Sequence, residues 1–436
     1  MNRTIILVTA ATVITLAAAA MPQRPRAAAA AIKPESITYA HDIAPIMNER
    51  CVTCHRSGEV APFSLEAYDV VRRHAREIAG VTKSRLMPPW KADSHGEFED
   101  ERRLTAGQID TIQKWVEGGM PEGNKADLPA PPKFKPGWKL GEPDAVLEAS
   151  EDFHIPAEGP DIYRCFVIPA QYAENRYVAA MDVRPGTASV VHHVIAYLDT
   201  SGKARQLDAA DPGPGYTSYG GIGVEASGAL GGWAPGITPH MLPQGVGVEL
   251  PKGADIVLQV HYHPTGKAET DRTRVGLYFA KGPVDKRARI GGVIAKDLRI
   301  PAGDAHYRIS ASRQLPFDIT LLGVAPHMHM LGQKMDVAAT LPDGTKSPLI
   351  SVPDWDFNWQ AIYFYRQPIV LPKGTTIDMQ AQYDNSAENP RNPNTPPKEV
   401  GWGEQTTDEM SIAFFWYTVD AEHLTKGQLV PVETDM

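Results

Sequence analysis

The sequence predicts a small all-α domain followed by two all-β sandwich domains, and three observations carry that expectation. Between residues 33 and 125 apolar side chains recur at helical spacing. After residue 145, glycine and proline (37 and 38 in the 436-residue chain) punctuate the text often enough to suit short strands and tight turns. A charged, glycine-containing stretch near 281–292 then divides the remainder into halves of similar size. The expected boundaries are a signal segment at 1–32, the helical domain at 33–125, a Pro-rich linker at 126–145, and sandwiches at 146–290 and 291–428.

The elements follow in order. Ile43 to Arg50 forms a short helix, Leu65 to Lys83 a longer one, and Leu104-Thr105 opens a third with Ile109, Ile112, Trp115 and Val116 on one face. Ala130-Pro131-Pro132-Lys133 marks a semi-rigid linker. Ten later segments are β-branched or aromatic and bounded by turn residues. They are Tyr163–Pro169, Tyr177–Val183, Val190–Leu198, Ile256–His263, Val275–Ala280, Phe317–Val324, Met335–Leu341, Ala361–Val370, Thr376–Tyr383 and Met410–Val419. Two packed antiparallel sheets per half fit that spacing.

Composition narrows the function. The net charge is −9, from 43 basic and 52 acidic residues, with no basic cluster beyond the start of the chain. A nucleic-acid partner is therefore not expected. Arg3, the uncharged run Ile5–Ala20 and the alanines at 17–20 and 27–31 predict a cleavable export signal. The run falls short of the roughly 20 residues of a spanning helix. The mature chain is expected in the periplasm or outside the cell, with no stable membrane span.

Residues 51 to 55 read Cys51-Val52-Thr53-Cys54-His55. Two cysteines at this spacing form thioethers to a haem edge, and the histidine that follows becomes an axial ligand. The flanking helices match the plan of a small cytochrome c, so one covalently bound haem c is expected. Met87, stiffened by Pro88 and Pro89, is the favoured second axial ligand, with Met120 and His95 as alternatives. Cys165 is then left without an intramolecular partner.

Of fourteen histidines, three groups fall inside the β segments: His192-His193, His261-Tyr262-His263 and His327-Met328-His329. In a strand, residues i and i+2 share a face, so a His-x-His pair can chelate one ion. Adjacent histidines converge only at a bulge or strand end. One such pair in a strand is commonly a packed pair; three groups in one exported redox chain point to metal. Imidazole suits copper, zinc, iron and nickel, and a thioether nearby selects reduced copper.

Six segments together resemble the copper type II ascorbate-dependent monooxygenases, over residues 146 to 428. In order they are Asp161-Ile162-Tyr163-Arg164-Cys165, Val191-His192-His193-Val194, Gly232-Trp233-Ala234-Pro235 through Leu242-Pro243-Gln244-Gly245-Val246-Gly247, Val257-Leu258-Gln259-Val260-His261-Tyr262, His327-Met328-His329 and Asp408-Glu409-Met410. The resemblance implies two jelly-roll-like domains, each with one copper, facing each other across a solvent-filled cleft. It assigns His192, His193 and His261 to an electron-transfer copper. It assigns His327, His329 and Met410 to the copper that meets dioxygen. His263 is left open as a ligand.

The departures bear on substrate. Ala325 stands where the peptide-processing members carry an arginine for a substrate carboxylate, and Phe414 where they carry a substrate-binding tyrosine. Ser411 replaces a usual cysteine, and the family's disulfide cysteines are missing apart from Cys165. The expected function is a copper monooxygenase hydroxylating a C–H bond of a small organic substrate with dioxygen. Its electrons come from ascorbate or a periplasmic redox protein, relayed through the fused haem. The alternative is a non-catalytic haem- and copper-bearing electron-transfer or copper-binding protein.

Overall fold

The computed structural model describes residues 37–431 except 58, 60, 135, 136 and 171. The expected signal segment lies outside the described residues. From Ile37 onward the chain forms one compact unit. It is mostly β, with 35% of residues in strands and 14% in helices, and four α-helices among the described residues.

Four larger sheets organise it. One has five strands in the order Tyr216–Thr217, Ile162–Pro169, Asp255–Tyr262, Val191–Asp199 and Gly228–Trp233. A second five-stranded sheet centres on Arg176–Arg184, and its outermost strand, Lys286–Arg287, pairs in parallel with Val246–Leu250. The third sheet orders Arg289–Ile294, Ile412–Val419, Ile319–His327 and Tyr363–Leu371, and the fourth Tyr307–Gln314, Thr376–Tyr383, Gly332–Thr340 and Lys346–Val352. The ten anticipated strand segments are all present. Tyr307–Gln314 was not anticipated: its alternation of Arg308, Ser310 and Ser312 with small apolar residues carries no β-branched run beyond Ile309.

The two central strands of the third sheet are buried on both faces, which explains why Ile319–His327 reads as a continuous apolar run. Leu321 and Val324 pack with the fourth sheet, while Leu322, Ala325 and Trp416 join the core of the first two sheets. A buried ion cluster fastens the same seam. Arg287 and Arg289 both reach the fully buried Glu422, at 2.5 and 2.8 Å, and Arg287 also reaches Glu249 at 2.9 Å. The stretch near 281–292 is thus a fastening rather than a free connection.

The expectation of an all-α cytochrome domain ahead of two jelly-roll-like sandwiches is overturned. Helices do form at Ala44–Arg50, Tyr68–Lys83 and Ala106–Glu117, the last opened by a Thr105–Gln108 capping box. However, the chain between the second and third of them is a non-helical strap built into the β body. Asp93 N–H donates to Ser351 O, Glu99 N–H to Phe364 O, and Arg366 N–H to Glu97 O. Ala92 and Phe98 lie in the same buried cluster as the third and fourth sheets. The helices keep a small cluster of their own around Ile43, Ile112 and Trp115, and it is the strap that adds its apolar residues to the core of the sheets. No described helix is long and apolar enough to cross a membrane.

Candidate metal and haem sites

The first histidine group is made by a register shift. His193 pairs with His261 across neighbouring strands and Val191 with Tyr262, so His192 is the extra residue of a bulge. The bulge turns both adjacent imidazoles to one side, where His261 joins them. His193 Nδ1 lies 3.3 Å from His192 Nδ1 and 3.4 Å from His261 Nδ1. One ring nitrogen offers a single proton or a single lone pair, so it cannot serve both neighbours by hydrogen bonding. A cation among the three can serve them all. Imidazole–metal bonds of about 2.0–2.1 Å separate tetrahedrally disposed donors by about 3.3 Å. Burial, reinforced by His261, lowers the His192 imidazole to about 4 and holds His193 well below its ordinary value. Both are therefore neutral donors at neutral pH.

Further groups fix these rings. Tyr163 stacks on His261 at 4.2 Å, and Asp161 Oδ2 lies 3.1 Å from His261 Nε2. That contact is at ion-pair distance but off the line of a hydrogen bond, and Nε2 has no other protein partner. Asp161 Oδ1 meets His263 Nδ1 at 2.6 Å, and Thr406 donates to Oδ2 at 2.7 Å. Burial works to raise the Asp161 carboxyl, yet His261, Thr406 and His263 together hold it well below the carboxylate range. His263 therefore partners Asp161, with a largely exposed side chain, and is not one of the converging three. A carboxylate behind a ligating histidine is the usual device for fixing ring orientation.

The second group stands where the strand Ile319–His327 ends. The His327 and His329 rings meet edge to face at 5.2 Å. His327 Nδ1 contacts Gln360 Oε1 at 2.6 Å, and His329 Nδ1 contacts the Asp408 carbonyl at 3.1 Å. Those acceptors place a proton on each Nδ1 and leave each Nε2 lone pair free for a metal. Burial and the adjacent His329 lower His327 to about 3; burial lowers His329 to about 4.

Met410 is buried, and its carbonyl accepts from Tyr383 Oη at 2.7 Å. His327 pairs with Ile412 across the ladder. The ladder ends at that pair, so Met410 stands two residues before the strand that faces His327. The buried Glu409 carboxylate draws the segments together, accepting from His329 N–H at 2.8 Å and Leu331 N–H at 2.5 Å.

The haem motif is built on one turn. Cys51 closes the first helix, and the N–H groups of Cys54 and His55 both donate back to its carbonyl. Both cysteines are unpaired, and burial followed by the Cys54 charge pushes the Cys51 thiol up to about 12. His55 Nδ1 contacts Phe63 O at 3.1 Å, which leaves Nε2 free. Two free thiols and one available imidazole nitrogen fit the covalent group. Met87 lines a cavity of about 290 Å³ with Arg85, Leu104 and Ile109, and that lining includes none of Cys51, Cys54 or His55. Met120 packs against the same helical core as Cys51. His95, on the strap, has its N–H held by Glu97.

Sequence reasoning missed the roles of Asp161, Gln360, Thr406 and the Asp408 carbonyl, because each acts across 30 or more residues. It also missed Phe357, whose ring centroid lies 4.9 Å from that of His192 and 5.7 Å from that of His329. Where the resemblance implies solvent between the two groups, a ring in contact with both is found.

No family model matches the chain, and no curated protein matches it. Among solved structures it is similar to the VP2 subviral particle of infectious bursal disease virus, at 12% identity and TM-score 0.18, over 64% of this chain and 72% of that one. It is also similar to the major capsid protein P2 of bacteriophage PM2, at 9% identity and TM-score 0.27, over 63% and 97%. A structure of PNGF-II gives 10% identity and TM-score 0.26, over 62% and 65%. Likeness at this level carries no argument about fold or chemistry.

Proposed function

We propose that this chain is an exported, periplasmic or secreted, copper-dependent monooxygenase that hydroxylates a C–H bond of a small organic substrate, its electrons relayed through a c-type haem on the same polypeptide. The observation that carries the reading is the presence of two unlike donor sets in one body. Three Nδ1 atoms converge at His192, His193 and His261, while the rings of His327 and His329 meet at 5.2 Å beside the segment of Glu409 and the thioether-bearing Met410, which the Glu409 carboxylate ties to His329. When bound, copper at the two groups supplies one-electron chemistry toward dioxygen, and haem at Cys51, Cys54 and His55 supplies a one-electron store.

The protein's own residues divide the work. His192, His193 and His261 present an all-imidazole set that suits both copper oxidation states. Asp161 and Tyr163 hold His261 in that orientation. His327, His329 and Met410 present a mixed nitrogen and sulfur set that favours the reduced ion. Ala325 pairs with Phe414 across the ladder, and the Phe414 ring lies 6.2 Å from that of His327. These positions offer no cation, so the substrate recognised beside them carries no obligatory carboxylate. In the balanced reaction one oxygen atom enters the C–H bond and the other leaves as water. Two electrons come from an external donor, ascorbate or a periplasmic redox protein, and the two protons from that donor or from solvent.

Metal analysis of exported protein, paired with a His329→Ala variant and product analysis in isotopic dioxygen, tests the reading. Two coppers and one iron per chain, one copper fewer in the variant, and label in the product are expected. Metal uptake without incorporation of label makes the chain a non-catalytic electron carrier instead.

A further inference from the structure

Phe357 sits on the connection between the strands Lys346–Val352 and Tyr363–Leu371. Its ring stacks nearly parallel on His192, at 19°, and meets His329 edge-on, at 74°. A phenyl ring has no lone pair to offer a metal. What it does here is fill the space between the face of His192 and the ring of His329, so that neither imidazole can turn its nitrogens toward the other group. Without it, His192 and His329 would be separated by an opening one ring wide.

The connection is held from several directions. Gln360 Nε2 donates to the Phe357 carbonyl at 3.1 Å while its Oε1 takes His327 Nδ1. Trp355, buried, donates its indole N–H to the His329 carbonyl at 3.0 Å, and its own N–H donates to Gln333 O. Arg391 reaches the Trp355 carbonyl at 2.5 Å. On the outer side Lys91, whose side chain is only 7% exposed, meets Asp354 at 3.0 Å and Asp356 at 3.7 Å. Lys91 belongs to the strap that leads away from Met87. A phenylalanine merely filling core space needs none of these ties; a ring that must stay between two sets of donors does.

We propose that Phe357 is a partition: a positioning residue that keeps the two histidine groups as separate one-metal sites with unlike donors, its loop braced by Lys91. The proposal rests on the reading that both groups hold copper, but not on any activity.

The test is electron paramagnetic resonance of the full chain loaded with Cu(II), comparing wild type with Phe357→Ala and Phe357→Leu. Wild type is expected to give two magnetically isolated coppers with full spin count. Phe357→Ala is expected to lose spin intensity per copper and gain a half-field transition as the ions approach. Equally in support, it takes up one copper instead of two, as a single ion draws donors from both groups. If the alanine variant fails to fold, the leucine variant carries the test, with the same change to a smaller degree. Two isolated wild-type-like signals in the folded variants overturn the partition while leaving the copper reading intact. A wild-type chain that binds no copper at either group overturns the copper reading and the partition with it.

Discussion

At the scale of single residues, the account turns on imidazoles whose ring nitrogens are assigned by their neighbours. Asp161 is the clearest case, because one carboxylate serves His261, His263 and Thr406. Asp161→Asn keeps the volume but removes the charge that holds His261 in place. It should weaken copper at the first group by about 10–100-fold in a competition titration. Copper at His327 and His329 should be unaffected; an equal loss at both groups would assign Asp161 to general stability. The adjacent pair His192-His193 was readable as a site because adjacent side chains in a strand diverge unless a bulge intervenes, and the bulge is there. Gln360 and Phe357 were not readable. Gln360 lies 33 residues from His327, and Phe357 lies on a different element from both histidines it touches; neither residue type announces metal chemistry.

At the scale of elements, the buried Glu422 cluster joins the strands Lys286–Arg287 and Arg289–Ile294 to the end of Ile412–Val419. Glu422→Gln leaves two guanidinium groups short of their counter-charge and should cost about 3–5 kcal/mol in denaturant unfolding. The pH dependence follows from the same cluster. Burial alone would raise the Glu422 carboxyl, but Arg287 and Arg289 hold it below its ordinary value. A depressed folded value means the stabilisation is complete above the unfolded range of about 4.3 and is lost as pH falls through the folded value. The stability gap between wild type and Glu422→Gln should therefore narrow in acid; a gap that widens there would contradict the assignment.

The strap is the other decisive element. Phe98 is 3% exposed and contacts Tyr363 and Tyr365 at 5.4 and 5.1 Å. Phe98→Ala should cost about 3–5 kcal/mol and open the strap to protease. Strands and helices were legible because periodicity survives within each segment. The strap was not, since an irregular segment docks by a few long-range contacts that leave no period behind.

At the scale of the whole molecule, the helices have their own small core, and the strap between the second and third of them is anchored in the core of the sheets, so the two parts should unfold together rather than as beads on a tether. A chain beginning at residue 105 lacks Ala92 and Phe98 and should melt at lower temperature than the intact chain, even though it retains every large sheet. An unchanged melting temperature would restore an independent N-terminal domain. The seam buried on both faces was hidden in the sequence for a physical reason: a strand covered on two sides reads as a plain apolar run, which says that it is buried but not by what.

The account rests on two copper centres with different donors, and copper-edge X-ray absorption of the reduced, copper-loaded chain tests that most directly. The account predicts a sulfur scatterer at half of the copper in wild type, lost in Met410→Leu, with the nitrogen shell of the three-histidine centre retained. A spectrum without sulfur, or one that the Met410→Leu substitution leaves unchanged, would contradict it.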